Sequence, residues 1–413
     1  MPPTLAAPPT RPLSQLLPNE PLLLMGAGPT PIPFPVARAN SVVINHLGPT
    51  MNSVLEGVKE MARYAFQTQA EHVIGVAGSA SSAMEMAVGN LAWPGRKVLS
   101  LVTGTFSARL ADMARCVGAD VTEVVSPVAT PATEAQLREA LAQGDIDLVT
   151  LVQGETSCGV LNTELPAIVR AAQEAGALVI VDAVCTLTTI PLQMDDWGID
   201  VCVTGGQKGL ASIPGVSLIA FSDRAWEVVE SRPRPMPHWC LDAQRAWNFW
   251  GHHRYHYTAP VPGVLALYEA LRLIAEETLE HRFHRHARSS AALQAGIEAM
   301  GLSLFVPAPY RLDSVVAFHR PTGVEAAKLK DRMAQQFGVE IAGAFGLDIL
   351  RVGQMGEQCR SHNLFQVLYA LGESTRLEGF SCDVSGGMAA MERTLVAHSE
   401  RPHENGAGRP ARF

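Results

Sequence analysis

Near the middle of the chain a single lysine, Lys208, stands in "TGGQKGLASIPG" (204–215), behind an apolar run and a pair of glycines. Burial disfavours the charged form of a lysine and lowers its pKa. A neutral lysine amine attacks carbonyl carbons and forms a Schiff base. Most lysines at strand ends are solvated surface charges, so the reading depends on companions. Gly78, Ser79, Ala80, Ser81 and Ser82 open a helical stretch in "GVAGSASSAMEMAVGN" (75–90). Backbone N–H groups and the positive helix end attract phosphate there; alone, the stretch reads equally as a serine-capped helix. Asp182 ends the apolar run "ALVIVD", where a carboxylate needs a partner. A protonated ring nitrogen serves, and so do the N–H groups of a turn. Arg351 lies inside "ILRVGQMG" (349–356). It suits a two-pronged grip on a substrate carboxylate or a structural ion pair.

The elements that must position these residues alternate along the chain. "KVLSLVTG" (97–104), "ADVTEVV" (119–125), "IDLVTLVQGE" (146–155), "LVIVDAV" (178–184) and "IDVCVTGG" (199–206) predict strands. Helical stretches separate most of them. Near-continuous apolar strands between helices predict a mostly parallel sheet covered on both faces. Ligands of such sheets sit beyond the carboxyl ends of the strands, where Glu155, Asp182 and Lys208 fall. From about residue 264 the pattern changes to a long helical stretch followed by the strand candidates "LSLFVP", "SVVAFHRP", "GVEIAG" and "ILRVGQ". This predicts a smaller α+β domain. The division is then 1–21 as an unstructured arm, 22–263 as the large domain, 264–395 as the small domain and 396–413 as a frayed tail.

Composition narrows the class. The chain has 413 residues, 47% hydrophobic and 17% charged, enough for two lobes. A formal net charge of −8 excludes an electrostatic nucleic-acid binder. The seven cysteines are scattered without a CxxC pair, which predicts reduced thiols and a cytoplasmic protein. No run is long enough without charge or proline to span a membrane. The histidine groups His252, His253, His256 and His281, His284, His286 lack a carboxylate or cysteine to complete a ligand set, so no metal is expected. The second group, set among arginines, reads as a solvated helix face.

Taken in order, "LLLMGAGPTPIP", "YAFQTQ", "GSASSAMEMA", "GETSCGV", "VIVDAV", "TGGQKGLASIPG", "RYHYTAPV" and "ILRVGQMG" resemble the class V aminotransferases of pyridoxal phosphate fold type I. The alanine–glyoxylate and serine–pyruvate group is nearest, and the resemblance covers roughly residues 22 to 395. It implies a large domain built on a seven-stranded sheet and a cofactor, pyridoxal 5′-phosphate, tied to Lys208. It implies Asp182 on the pyridine nitrogen, where its charge keeps the ring an electron sink. It implies Ser79, Ala80, Ser81 and Gln207 on the phosphate, Phe106 and Val184 on the two ring faces, and Ser157 near the ring. Tyr255 and Thr258 would reach the phosphate from a neighbouring subunit, making a homodimer. Arg351 and Gly28 would meet the substrate. The activity implied is amino transfer from alanine or serine to glyoxylate or pyruvate, with other class V transaminations such as ureidoglycine–glyoxylate as the alternative.

The chain departs from that pattern in places. Phe106 replaces a more usual tryptophan, and "VDAVCTLTT" replaces a Ser-Leu-Gly-Gly continuation, bringing Cys185 and three threonines near the ring. A cysteine desulfurase carries histidines where this chain has Gln207 and Phe106. A nicotinamide dehydrogenase needs two more glycines than "LVTGTFSARL" supplies. A non-enzymatic binding protein would not need Lys208, Asp182 and Arg351 together.

Overall fold

The structure, a computed structural model, describes residues 5–397. Its main sheet has seven strands: β1 (His72–Ala77), β2 (Lys97–Val102), β3 (Asp120–Val125), β4 (Leu148–Val152), β5 (Leu178–Asp182), β6 (Val201–Gly205) and β7 (Val216–Phe221). Their order across the sheet is β1-β7-β6-β5-β4-β2-β3. From β6 through β3 the pairings are parallel. β7 runs antiparallel to both β6 and β1. Strands β4, β5, β6 and β7 are buried at every residue. Helices cover both faces, so these strands read as unbroken apolar runs instead of alternating ones. Asp182 pairs with Val152 on one side and Val203 on the other, at the middle of the sheet.

Two helices start at the ends of strands that carry the site: α1 (Ala80–Leu91) after β1 and α2 (Thr105–Cys116) after β2. Further on, α3 (Val261–Glu277) and α4 (Leu279–Ala299) run almost end to end, broken at Thr278 with φ +66°.

A second, smaller α+β domain holds a three-stranded antiparallel sheet: Val315–His319, Ile349–Gly353 and Ala342–Gly343. Helices Ala326–Phe337, Ser361–Leu377 and Val384–Ala397 pack about it. The apolar face of α3 belongs to the first core, while Ala292, Leu293 and Ile297 of α4 belong to the second. The change of pattern at 264 thus falls inside a helix of the first core, and α4 straddles the two. Near the start of the chain, Leu23–Leu24 pairs with Val339–Glu340, and Met25 joins the second core. "LSLFVP" forms no strand; only Leu304 bridges to Phe318. Residues 5–21 are exposed, with one helical turn at Leu13–Gln15. Residues 1–4 and 398–413, including nearly all of the expected tail, lie outside the described residues.

Candidate active site

The carboxyl ends of five strands deliver the site, four of them side by side and β1 one strand removed, beyond β7. Gly78 and Ser79 follow β1, Phe106 follows β2, Glu155 follows β4, Asp182 ends β5, and Gln207 and Lys208 follow β6. The central strands are buried throughout, so their ends hold side chains in fixed places.

Lys208 lies against the segment 27–30. Its Nζ donates to Ala27 O in a short hydrogen bond. A Cβ at Gly28 would lie 2.6 Å from that Nζ, so only glycine leaves the amine its place. Thr30 N donates to Gln207 O at 3.1 Å, closing the segment onto the lysine loop. Burial pushes the lysine pKa below its ordinary value; Arg351 and Arg109 add to this, while Cys185 and Asp182 oppose it. Asp182 is 5% exposed. Its Oδ1 accepts from Val184 N at 2.7 Å. Burial, with Glu155 nearby, pushes its carboxyl up to about 7. Among the described residues no ion pair joins Asp182 to a cation, so a cationic partner would be stabilising there.

These residues fit pyridoxal phosphate. Ser79 is the N-cap of α1, and its side chain makes no capping bond. Of the first-turn N–H groups, Ser82 N donates to Ser79 O at 2.8 Å, while those of Ala80 and Ser81 have no carbonyl before them in the helix to meet. Gly205 is squeezed between Ala80 and Gln207, both within 2.8 Å of where its Cβ would stand. A helix start with open N–H groups, an acid that lacks a cation and the buried lysine thus stand at the same end of the sheet, with Asp182 and Lys208 close enough to feel each other's charge.

Glu155 ties the start of α2 to its own loop. It is fully buried, and five donors meet it. Phe106 N (3.2 Å) and Ser157 N (3.1 Å) and Oγ (2.6 Å) reach Oε1. Ser107 N (3.0 Å) and Oγ (2.9 Å) reach Oε2. The carboxylate also sits at the amino end of α2, where the helix dipole favours an anion. It fixes both Phe106 and Ser157, whose Oγ in turn accepts from Thr105 N at 3.1 Å. In the sequence Glu155 stands at a strand end without a role, and Arg109 has none either. The Arg109 guanidinium stacks 4.8 Å from the Phe106 ring centre and donates to Ser81 Oγ at 3.2 Å. The signal available was its place one helical turn after Phe106 on α2.

Arg351 comes from the middle strand of the small sheet and is 5% exposed. Its Nη1 donates to Thr156 O at 2.6 Å, and its Nε and Nη2 both donate to Gly343 O. Burial lowers its pKa, and no carboxylate pairs with it among the described residues. The ion-pair alternative is therefore not what holds it.

Cys185 lies close to Lys208, whose charge it favours, and is itself buried. Cys185 Sγ donates to Gly154 O at 3.1 Å, and burial pushes the thiol up to about 12. Thr186, Thr188 and Thr189 are buried too. Tyr255 and Thr258 are not gathered with the others; both are exposed between helix Ala243–Trp250 and α3, with the Tyr255 ring against His46. His253 pairs with Glu56, and buried His256 meets Trp239 O. The expected solvated face at 281–286 is partly wrong. His286 and Arg282 are buried on the inner side of α4, because Glu277 and backbone groups meet them there.

A mostly parallel sheet whose strand ends present a lysine, a buried acid and an anion cradle defines a fold type I pyridoxal-phosphate-dependent transferase. The family model described as aminotransferase class-V matches residues 36–359. The chain belongs to the class V aminotransferases. It is 35% identical over 382 residues to the alanine–glyoxylate aminotransferase of Felis catus, covering 90% of this chain and 91% of that one. The solved alanine–glyoxylate aminotransferase of Nostoc sp. superposes with TM-score 0.84 at 34% identity, over 89% of this chain and all of that one. The ureidoglycine–glyoxylate aminotransferase of Bacillus subtilis superposes with TM-score 0.88 at 30% identity, over 92% and 99%. The chain is thus a pyridoxal-phosphate-dependent enzyme that moves an amino group between a small amino acid and a 2-oxo acid. Among the described residues no helix is long and apolar enough to cross a membrane.

Proposed function

We propose that this enzyme takes its amino group from alanine or serine and delivers it to glyoxylate or pyruvate. The observation that carries the reading is the state of Arg351. A guanidinium has five N–H groups. Backbone carbonyls of Thr156 and Gly343 take three of them. One remains on each terminal nitrogen, the pair that a carboxylate accepts in two-pronged fashion. Amino acid and 2-oxo acid present the same carboxylate, so one arginine serves both.

When bound, pyridoxal phosphate supplies an electron sink for the carbon next to that carboxylate. Ser79, Ala80, Ser81 and Gln207 hold its phosphate, and Phe106 and Val184 hold the ring from its two faces. Ser157, fixed by Glu155, stands near the ring. Asp182 keeps the ring nitrogen protonated. Lys208 Nζ, its pKa lowered by burial, would take the α-proton and return it on the cofactor side. Gly28 leaves substrate and lysine their shared space. Two copies share their sites, with the exposed Tyr255 and Thr258 of each reaching the other's phosphate. The exposed apolar side chains Phe34 and Val43 support such pairing. The seven free cysteines support a cytoplasmic enzyme.

The test is half-reaction kinetics with a donor panel of alanine, serine and ureidoglycine, then an acceptor panel of glyoxylate and pyruvate. Alanine or serine should convert the cofactor fastest, with ping-pong behaviour in steady state. Turnover with ureidoglycine alone would move the enzyme to the other glyoxylate transamination.

A further inference from the structure

Thr188 and Arg282 have no part in the transamination chemistry, yet both end on the carbonyl of Gly209, the residue after Lys208. Thr188 Oγ1 donates to Gly209 O at 2.9 Å. Arg282 Nη2 donates to the same carbonyl at 2.6 Å, and its Nε donates to Thr188 Oγ1 at 3.3 Å. The three groups close a triangle. Arg282 belongs to α4, whose far half packs in the second core. The triangle therefore ties the helix that joins the domains to the lysine loop.

Three features show that this contact is held against resistance. Thr188 has φ +66°, where a β-branched side chain is strained. Arg282 is a guanidinium 3% exposed, and burying it is costly unless its donors are paired. Glu277 supplies the charge, accepting from Arg282 Nη1 at 2.7 Å and from Arg285 as well. The backbones themselves touch: a Cβ at Gly209 would lie 2.2 Å from Leu187 O. A shift of either segment moves the other.

We propose that Thr188 and Arg282 are positioning residues for Lys208, which by fixing the Gly209 carbonyl hold the lysine amine where it reaches the aldehyde carbon of the cofactor. This rests on Lys208 being the lysine that takes the cofactor. In that step Nζ bonds to the aldehyde carbon and the aldehyde oxygen leaves as water. Pyridoxamine phosphate has no aldehyde and binds through the phosphate and ring contacts alone.

The two cofactor forms therefore separate positioning from folding. Their dissociation constants are measured by equilibrium dialysis in wild type, Thr188→Val, Thr188→Ser, Arg282→Leu and Lys208→Ala. Thr188→Val keeps the shape and loses the hydroxyl; Thr188→Ser keeps the hydroxyl. We expect Thr188→Val and Arg282→Leu to weaken the aldehyde form about tenfold and to leave pyridoxamine phosphate within about twofold. Thr188→Ser should restore wild-type binding. If Arg282→Leu does not fold, the Thr188 pair decides alone. Equal weakening of both forms, or unchanged aldehyde binding in Thr188→Val, overturns the proposal. If Lys208→Ala keeps full affinity for the aldehyde form, the assignment of Lys208 fails with it. If Lys208→Ala loses that affinity while Thr188→Val keeps it, the positioning role alone falls.

Discussion

Freed of cofactor, the enzyme should become less stable as pH rises toward neutrality, and Asp182 should be a measurable cause. In the folded chain burial holds this carboxyl's pKa up at about 7, against an unfolded value of 3.8. Between those values the folded state keeps a proton that the unfolded state has lost. Its contribution is fully present below the unfolded value and is lost as pH rises through the folded one. At about 1.4 kcal/mol per pH unit, the whole window is worth about 4 kcal/mol for a shift of this size. Asp182→Asn removes the titration and keeps an oxygen to accept from Val184 N. The assay is urea unfolding of both cofactor-free proteins between about pH 4.5 and about pH 8. The stability of wild type minus that of the variant should fall with pH by up to about 1.4 kcal/mol per unit. Other groups cancel in the difference. Pyridoxal phosphate should remove the slope, because a protonated ring nitrogen draws the carboxyl's pKa back down. A flat difference without cofactor would refute the burial reasoning. A slope that persists with cofactor bound would refute the facing of Asp182 toward a cation.

Lys208→Ala should abolish turnover and the visible absorbance of the bound cofactor; normal turnover in a spectrophotometric assay would sink the assignment. Arg351→Lys should weaken alanine, serine and glyoxylate by on the order of 1.5–3 kcal/mol per charge-assisted hydrogen bond lost, and leave a simple amine no worse than in wild type. Half-reaction kinetics read this, and equal losses for the amine would mean that Arg351 only ties Thr156 to Gly343. Glu155→Gln should turn one acceptor into an NH2 group facing N–H and O–H donors, costing about 1–3 kcal/mol. Calorimetry should show a lower unfolding midpoint, and an unchanged midpoint would remove Glu155 as the anchor of Phe106 and Ser157.

The strands that end at Asp182 and lead to Lys208 were legible because burial on both faces makes them apolar almost throughout. "LVIVD" and "VCVTG" announce themselves. The strand before the phosphate cradle did not. His72–Ala77 contains Gly75, which weakens a strand pattern. The structure gives its reason: a Cβ there would lie 2.0 Å from the Trp250 ring, which a linear reading cannot bring near. The two-residue strand Leu23–Leu24 was invisible for a similar cause, since its partner Val339–Glu340 lies more than three hundred residues away. The threonines of "VCTLTT" read in the sequence only as bulk, with no sign of what their hydroxyls bond. In place, Thr188 keeps a left-handed backbone of the kind glycine favours, and the hydroxyls of Thr188 and Thr189 are spent on backbone carbonyls.

Charge was the signal that misled most. Arginine and histidine one turn apart in "EHRFHRHARSS" describe a wet helix face only if nothing opposite is within reach. Glu277 stands just before the break at Thr278, so its carboxylate folds back onto Arg282 and Arg285. Those two cations hold the Glu277 carboxyl down at about 2 despite burial. Paired in this way, a guanidinium can be carried inside, where Arg282 meets the Gly209 carbonyl. His286, a turn further on, is driven to stay neutral by burial and by the same two arginines. That leaves Nε2 free to accept from Gly356 N at 3.0 Å. One acid at a helix break therefore turns a face that reads as surface into the joint between the small domain and the lysine loop.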